Sequence, residues 1–420
     1  MKRVFIIAGE ASGDQLGAAV IRSLRARHPD VEIYGIGGPL MMGAGLGESL
    51  FPMKELSVMG LVEIVPHIPH FIRRINQTVD AIIEWYPDVV LTIDSPDFCF
   101  RVQKKLRQAR SSGPLRNRSS GLTRGPQAIS EGPSGQARGP SISQFHMVAP
   151  SVWAWRPGRA KKIAQFLDGL LCLFPFEPAY FTPHGLPSIA IGHPVVNKYP
   201  PRTTPRLAGP SIKIGLYLGS RSGVIHRHAD IYLDAIDKLA QSTTRPIEVM
   251  IPTFPAHQDL IAAKVAGRPW AHRIITTESQ KTALMPTLDL ALAVSGTVGL
   301  ELAVAGVPHV IGYRMGRVTH TLARLLVRRG QRAHLANIVL DTNIIPEFIQ
   351  GACTATNLAQ AMNDLLVDQG GTASEQLEAF ERLRALLSSP ETPGDRAVEF
   401  ILGSVCRVQR TTPPIDSSPS

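Results

Sequence analysis

At 420 residues, with 44% hydrophobic and 19% charged side chains, the chain has the composition of a globular protein and the length for two or three domains. Its four cysteines, Cys99, Cys172, Cys353 and Cys406, form no CxxC pair, which argues against a disulfide framework or a cysteine zinc site and fits a reducing compartment. A net charge of +10 points to an anionic partner: nucleic acid, phospholipid headgroups or a phosphorylated substrate.

The chain opens on an apolar run that meets Glu10 and Asp14 at once, which reads as a first β-strand and not as a signal peptide. Apolar runs at Val4–Ala8, Val31–Ile36, Val89–Ile93, Phe145–Val148 and Leu170–Phe174 alternate with helical segments, the rhythm of βα units on a parallel sheet. Residues 111–143 interrupt it: they are mostly Gly, Pro and Ser with several Arg, repeat RSSG and RGP, and cannot bury enough apolar surface to offset their ordering entropy. A disordered insertion is expected there, with a nucleic-acid arm as the sharper alternative. The rhythm restarts after a Pro-rich stretch with Ile212–Leu218, Ile247–Ile251, Arg273–Thr276, Leu288–Val294 and His309–Gly312. The expected fold is therefore α/β, two Rossmann-like domains facing a central cleft. They span 1–197 and 211–403, with a linker at 198–210 and a flexible tail from 404. Helices are expected near 354–366 and 396–402. Leu290–Tyr313 is the longest apolar region, but Glu301, four glycines and Pro308 make it a poor spanning helix.

In open α/β sheets ligands sit at the carboxyl ends of strands, so the motifs there carry the chemistry. Gly9-Glu10-Ala11-Ser12-Gly13-Asp14 joins the first strand to a helix and reads either as a phosphate or sugar loop or as a capped turn with Ser12 or Asp14 as N-cap. Gly35-Ile36-Gly37-Gly38-Pro39-Leu40 lacks the third glycine of a dinucleotide loop. Asp94-Ser95-Pro96-Asp97 puts two carboxylates at a strand end, where one could accept a proton from a hydroxyl or simply cap the next helix; no neighbouring His or third acid supports a metal. In the second half, Gly219-Ser220-Arg221-Ser222-Gly223 offers a guanidinium for a diphosphate. Ser295-Gly296-Thr297 leads into a helix whose free N–H groups can cap phosphates. Glu301, one turn on, shares the Thr297 face and could accept ribose hydroxyls. His226 and His228 lack a third metal ligand.

Two stretches suit a membrane surface or core packing alike. Residues 61–74 are apolar with a basic end, and expected membrane contacts are Leu61, Val62, Ile64, Val65, Ile68 and Phe71. Residues 317–332 place Val318, Leu322, Leu325 and Leu326 on one helical face among many Arg.

GEASGD, ELSVMGLVEIVPHI, DSPDF, APSVWAWRPGRAKKI, PFEPAYF, IGHPVV, GSRSG and SGTVGLELAVAGVPHVIGYR occur in one order across residues 4–340, and together they resemble the lipid-A-disaccharide synthases. The resemblance implies a GT-B fold and an inverting glycosyltransferase without metal or cofactor. Its reaction joins a UDP-2,3-diacylglucosamine donor to a 2,3-diacylglucosamine 1-phosphate acceptor, giving the β-1,6 disaccharide and UDP. It implies work at the cytoplasmic face of the inner membrane, with no nucleic-acid partner and with a homodimer left open. By position, Asp94 becomes the general base, Glu10 part of the acceptor-side motif, and Arg221 the group that neutralises the departing diphosphate. Ser12, Asp97, Ser220, Ser295, Gly296, Thr297, Glu301, Arg314 and Asn337 become substrate-binding positions. Another GT-B UDP-GlcNAc enzyme, or a non-catalytic basic membrane protein, are the alternatives. The chain departs from the family pattern in Tyr217-Leu218-Gly219 for Leu-Pro-Gly, in Val224 for Glu, in Ala149 for Ser and in the 111–143 insertion.

Overall fold

The computed structural model describes residues 1–57, 68–111, 142–155, 157–202, 204, 209–316, 332–367 and 371–410. The chain divides into two compact units, Met1–Gly192 with the segment from Ser389 onward, and His193–Ser388.

In the first unit β1 (Arg3–Ala8), β2 (Glu32–Ile36), β3 (Val89–Ile93), β4 (Ser143–Met147), β5 (Gly169–Cys172) and β6 (Ser188–Ala190) form one parallel sheet in the order β2-β1-β3-β4-β5-β6. Every residue of β3 and β4 is buried, and β1 is buried from Val4 to Ala8, because helices cover both faces of such a sheet and leave no polar side. The helices include α1 (Ala11–Arg27), α2 (Ile68–Trp85) and α3 (Pro96–Ser111). Phe5, Ile7 and Val90 meet Val79, Ile82, Phe98 and Val102 in the core on one face.

In the second unit β7 (Ile212–Tyr217), β8 (Ile247–Pro252), β9 (Ala271–Ile275), β10 (Leu290–Val294), β11 (His309–Tyr313) and β12 (Glu347–Ile349) run parallel in the order β12-β11-β10-β7-β8-β9. The helices used below are α4 (Ser222–Ser242), α5 (Thr297–Val304), α6 (Leu335–Leu340), α7 (Ala355–Val367) and α8 (Thr372–Leu387). α4 and α7 pack together over β7, β8 and β10.

In each sheet the first strand of the unit has its sequence neighbour on one side and a later strand on the other. Order reverses between β1 and β3 and between β7 and β10, and loops leaving a reversal diverge to leave a crevice at the carboxyl ends. Register brings those ends level: Ala8 pairs with Ile93, and Tyr217 with Ala293.

All ten strands expected from the apolar runs are present; the two short ones at sheet edges, β6 and β12, are additional. Three organisational expectations change. The C-terminal helix α9 (Pro393–Arg410) packs on α1 within the first unit: Arg27 pairs with Asp395 at 3.7 Å, Phe400 meets the Phe145 ring at 6.2 Å, and a Cβ at Gly394 would lie 2.7 Å from the Ala19 carbonyl oxygen. The second unit thus ends before 403, and helix continues past 404. The start of the expected linker is also built into the second unit, where Tyr199 is buried and Arg202 donates to the Leu288 carbonyl at 2.6 Å. Residues 112–141 of the expected insertion and 317–331 of the expected basic helical face lie outside the described residues, as do Leu61, Val62, Ile64 and Val65.

Ile68 opens α2, and Phe71 packs inward, its ring 5.6 Å from Phe98. Phe71 is thus a partly buried contact of the core, on the side of α2 that faces the sheet; Ile72, one step round the helix, is 49% exposed. Arg74 is likewise no free cation: it donates to both Glu55 oxygens at 2.7 and 2.8 Å and lies over the Phe51 ring. Among the described residues no helix is long and apolar enough to cross a membrane.

Candidate active site: two strand-end loops

At the β1/β3 reversal, α1 starts at Ala11 with Glu10 as its N-cap residue, and Glu10 makes no side-chain capping bond. Asp94 and Ser95 follow β3 with φ of 55° and 44°, a left-handed pair that non-glycine residues adopt only under strain. The turn brings the Asp94 carboxylate back onto the first loop, where the Ser12 hydroxyl donates to Oδ2 at 3.2 Å and the Ser95 amide donates to Oδ1 at 2.8 Å. Gly9 makes this approach feasible, since a Cβ there would lie 2.2 Å from Ser95 Oγ. Glu10 reaches solvent, yet partial loss of water and then the nearby Asp94 charge raise its pKa above the usual carboxylate value. Asp97 lies exposed in the first turn of α3, a favourable place for negative charge beside free helical N–H groups.

Asp14 has another task. It is buried and accepts from the amides of Gly38, Leu40 and Met41 at 2.9, 3.0 and 2.9 Å. Those are the N–H groups that would have cradled a phosphate in the Gly35–Leu40 loop, so this loop is a structural cap.

At the β7/β10 reversal the chain encloses a cavity of about 410 Å³. Gly219, at φ 99°, turns the chain out of β7 and holds Ser220 and Arg221 exposed at the start of α4. Gly219 also presses on Val224, where the family commonly has Glu: a Cβ at 219 would lie 2.8 Å from Val224 Cγ1, so this departure fills a packing position. Across the cavity Gly296 precedes α5, whose first amides, at Thr297 and Val298, have no partner within the helix. Ser295 donates to the Ala333 carbonyl at 3.1 Å. Glu301, one turn into α5, accepts from Lys198 at 2.7 Å and Tyr199 at 2.8 Å, both on Oε2. Burial and the Glu301 charge push the Tyr199 phenol upward, so it stays protonated.

Arg221, Ser220, Ser295, Gly296, Thr297 and Glu301 are thus gathered at one cavity. Arg314 and Asn337 are placed differently. The Arg314 guanidinium donates to the Cys353 carbonyl at 2.6 Å, and its backbone amide donates to His228. Asn337 is buried, donating to the Ile345 carbonyl and Glu347 and accepting from the Ile345 amide, so its hydrogen-bonding capacity fixes the turn before β12. His228 uses both ring nitrogens, on the Val224 carbonyl and the Arg314 amide, and is structural. Lys198, Tyr199 and Tyr217 were not singled out for the site; the first two fall in the stretch that read as a linker.

A chain that winds a Rossmann-like sheet twice, with ligand loops at each reversal of strand order, has the architecture of GT-B glycosyltransferases. The chain belongs to the lipid-A-disaccharide synthetase family, whose model matches residues 4–115 and 135–391, and it is a glycosyltransferase. The lipid-A-disaccharide synthase of Rhodospirillum centenum is 37% identical over 413 residues, 96% of this chain and 95% of that protein. The one from Rhodopseudomonas palustris is 38% identical over 413 residues, 96% of each chain. Among solved structures, a UDP-N-acetylglucosamine 2-epimerase from Rickettsia bellii matches with a TM-score of 0.56 at 13% identity, over 98% of this chain and 99% of that one. The glycotransferase of kitacinnamycin matches with a TM-score of 0.57 at 15% identity, over 96% and 99%. At such identities these two likenesses speak for the fold.

Proposed function

We propose that the chain transfers the diacylglucosaminyl group of UDP-2,3-diacylglucosamine to the 6-hydroxyl of 2,3-diacylglucosamine 1-phosphate, at the cytoplasmic face of the inner membrane. The observation that carries the chemistry is the fixed Asp94 carboxylate at the β1/β3 reversal, anchored by Ser12 and the Ser95 amide. A carboxylate held this way needs no reorganisation to accept a proton as the hydroxyl attacks C1. Glu10, its pKa raised by partial burial and by the Asp94 charge, serves the acceptor as a hydrogen-bonding partner.

The second unit holds the donor. Arg221 neutralises the departing diphosphate, the Thr297 and Val298 amides cap it, and Glu301 accepts from the ribose. Ser12 and Asp97 belong to the acceptor side; Ser220, Ser295 and Gly296 line the donor side. The membrane reading is supported by the exposed Ile72 beside the apolar 61–68 stretch and by the chain's +10 charge.

The test is UDP release and disaccharide formation from the two acylated substrates in detergent micelles, without added metal. Product from the wild type and a loss of roughly a hundredfold or more in Asp94→Ala are expected. Wild-type turnover in that variant would sink the base assignment; turnover of unacylated UDP-GlcNAc alone would sink the substrate assignment.

A further inference from the structure

β7 ends on Tyr217, whose hydroxyl has no task in the site described above. Tyr217 is only 7% exposed and lines the second-unit cavity. Its ring lies back along β7 over Gly215, where a Cβ would come within 2.8 Å of Tyr217 Cε2, and this fixes the phenol against the strand. The hydroxyl is buried, and among the described residues it has no hydrogen-bond partner. A buried polar atom in that condition costs stability, and a ligand seated in the cavity that Tyr217 lines is placed to supply its partner.

Its neighbourhood indicates what enters. Burial and then the Glu301 charge raise the Tyr217 pKa, so the phenol keeps its proton and can donate. Glu301 is a pure acceptor, and its two partners, Lys198 and Tyr199, both sit on Oε2. Glu301 is paired with Lys198, and the cavity offers its anion-binding groups elsewhere, at Arg221 and the amides that start α5, which leaves the phenol for a hydroxyl. A protonated phenol next to a carboxylate acceptor matches two adjacent hydroxyls, one accepting and one donating.

We propose that the Tyr217 hydroxyl hydrogen-bonds one ribose hydroxyl of the bound uridine nucleotide while Glu301 accepts from the other, making Tyr217 a specificity-determining residue for ribonucleotide donors. The proposal rests on the reading of this cavity as the UDP site. It also gives Gly215 a role, since a side chain there would displace the ring that positions the hydroxyl.

The experiment is calorimetric titration of the full-length wild type and Tyr217→Phe with UDP, 2′-deoxy-UDP and 3′-deoxy-UDP, alongside thermal unfolding of both ligand-free proteins. The wild type binds UDP and binds both deoxy analogues more weakly, since each lacks one of the two paired hydroxyls. Tyr217→Phe loses roughly tenfold in UDP affinity and no longer separates UDP from one analogue, while it still separates UDP from the other through Glu301. Its ligand-free midpoint is unchanged or higher, because the unmet hydroxyl is gone. Equal UDP affinity in the two proteins, no discrimination against either analogue by the wild type, or a ligand-free variant that melts lower would each overturn the proposal. A wild type that fails to bind UDP at all would instead overturn the reading of the cavity, and the proposal with it.

Discussion

The two reversals of strand order share one topology and do opposite things with it. Between β1 and β3 the polar groups are turned on one another: Ser12 and the Ser95 amide anchor Asp94, and a strained left-handed pair packs Ser95 against Gly9. Between β7 and β10 the groups surround a cavity, with Arg221 exposed, the first amides of α5 open and the Tyr217 hydroxyl unmet. The first arrangement suits proton transfer, which needs one group held still. The second suits binding of a ligand whose anionic part meets Arg221 and the α5 amides. Topology supplies the crevice in both; the residues at the strand ends decide its use.

That contrast breaks most sharply at Asp94. Asp94→Asn keeps the side-chain shape and should lower kcat by about 10²- to 10⁴-fold, while titration with UDP returns the wild-type affinity. A matching loss of UDP affinity would show that the two loop sets do not divide the work.

Acid should separate the two units next. His193 and His309 of the second unit are held neutral by burial, each with its pKa lowered from 6.5 to about 4, and His334 is lowered as well by burial and by His309. The unfolded chain therefore binds more protons than the folded one between those values, and stability is lost as pH falls below 6.5. Moving from pH 7 to 5 removes roughly 2 kcal/mol for each of His193 and His309. In the first unit His146, lowered to about 3 by burial, acts in the same direction, but the buried Glu177 opposes it. Burial raises the Glu177 pKa from 4.5 to about 7, so the folded state binds more protons in that window and gains stability as pH falls through it. Scanning calorimetry at the two pH values should show the transition of the second unit moving down further. Glu177→Gln, which keeps an acceptor for the Phe174 amide, should then make the first unit acid-sensitive too.

Arg221→Ala comes third, with UDP affinity down about 10- to 100-fold, the range of a hydrogen bond to a charged group, and no change in melting because the side chain is exposed. The smallest effect belongs to Ser12→Ala. One anchor of Asp94 is lost, and kcat should fall about 3- to 10-fold, a single hydrogen bond's worth, at unchanged UDP affinity.

Much of this could be read along the chain. Strands buried on both faces advertise themselves as continuous apolar runs, and the polar motifs that interrupt those runs fall at strand ends by construction. Asp94, Arg221 and Glu301 are legible as strand-end candidates in that way, and the ordered set of motifs carries the family. The two edge strands escaped because Ser188–Ala190 and Glu347–Ile349 are three residues long and half-buried, too short for any period to show.

What the sequence determined, then, is local: which segments are strands, which residues stand at their ends, and what chemistry those residue types allow. Tertiary structure alone decided the partners. The apolar stripe of Ala397, Val398 and Ile401 announces a helix that must be covered, yet nothing along the chain says that α1, more than 360 positions away by the Arg27–Asp395 pair, covers it. Asp14 could have capped its own helix and instead holds the amides of the next loop, Phe71 turns inward where Ile72 does not, and Asn337 spends its amide on the turn before β12. Periodicity is a property of neighbours in the chain, whereas hydrogen-bond partners and buried contacts are settled by packing between segments far apart in it, where only one arrangement fills the space and satisfies the buried polar groups together.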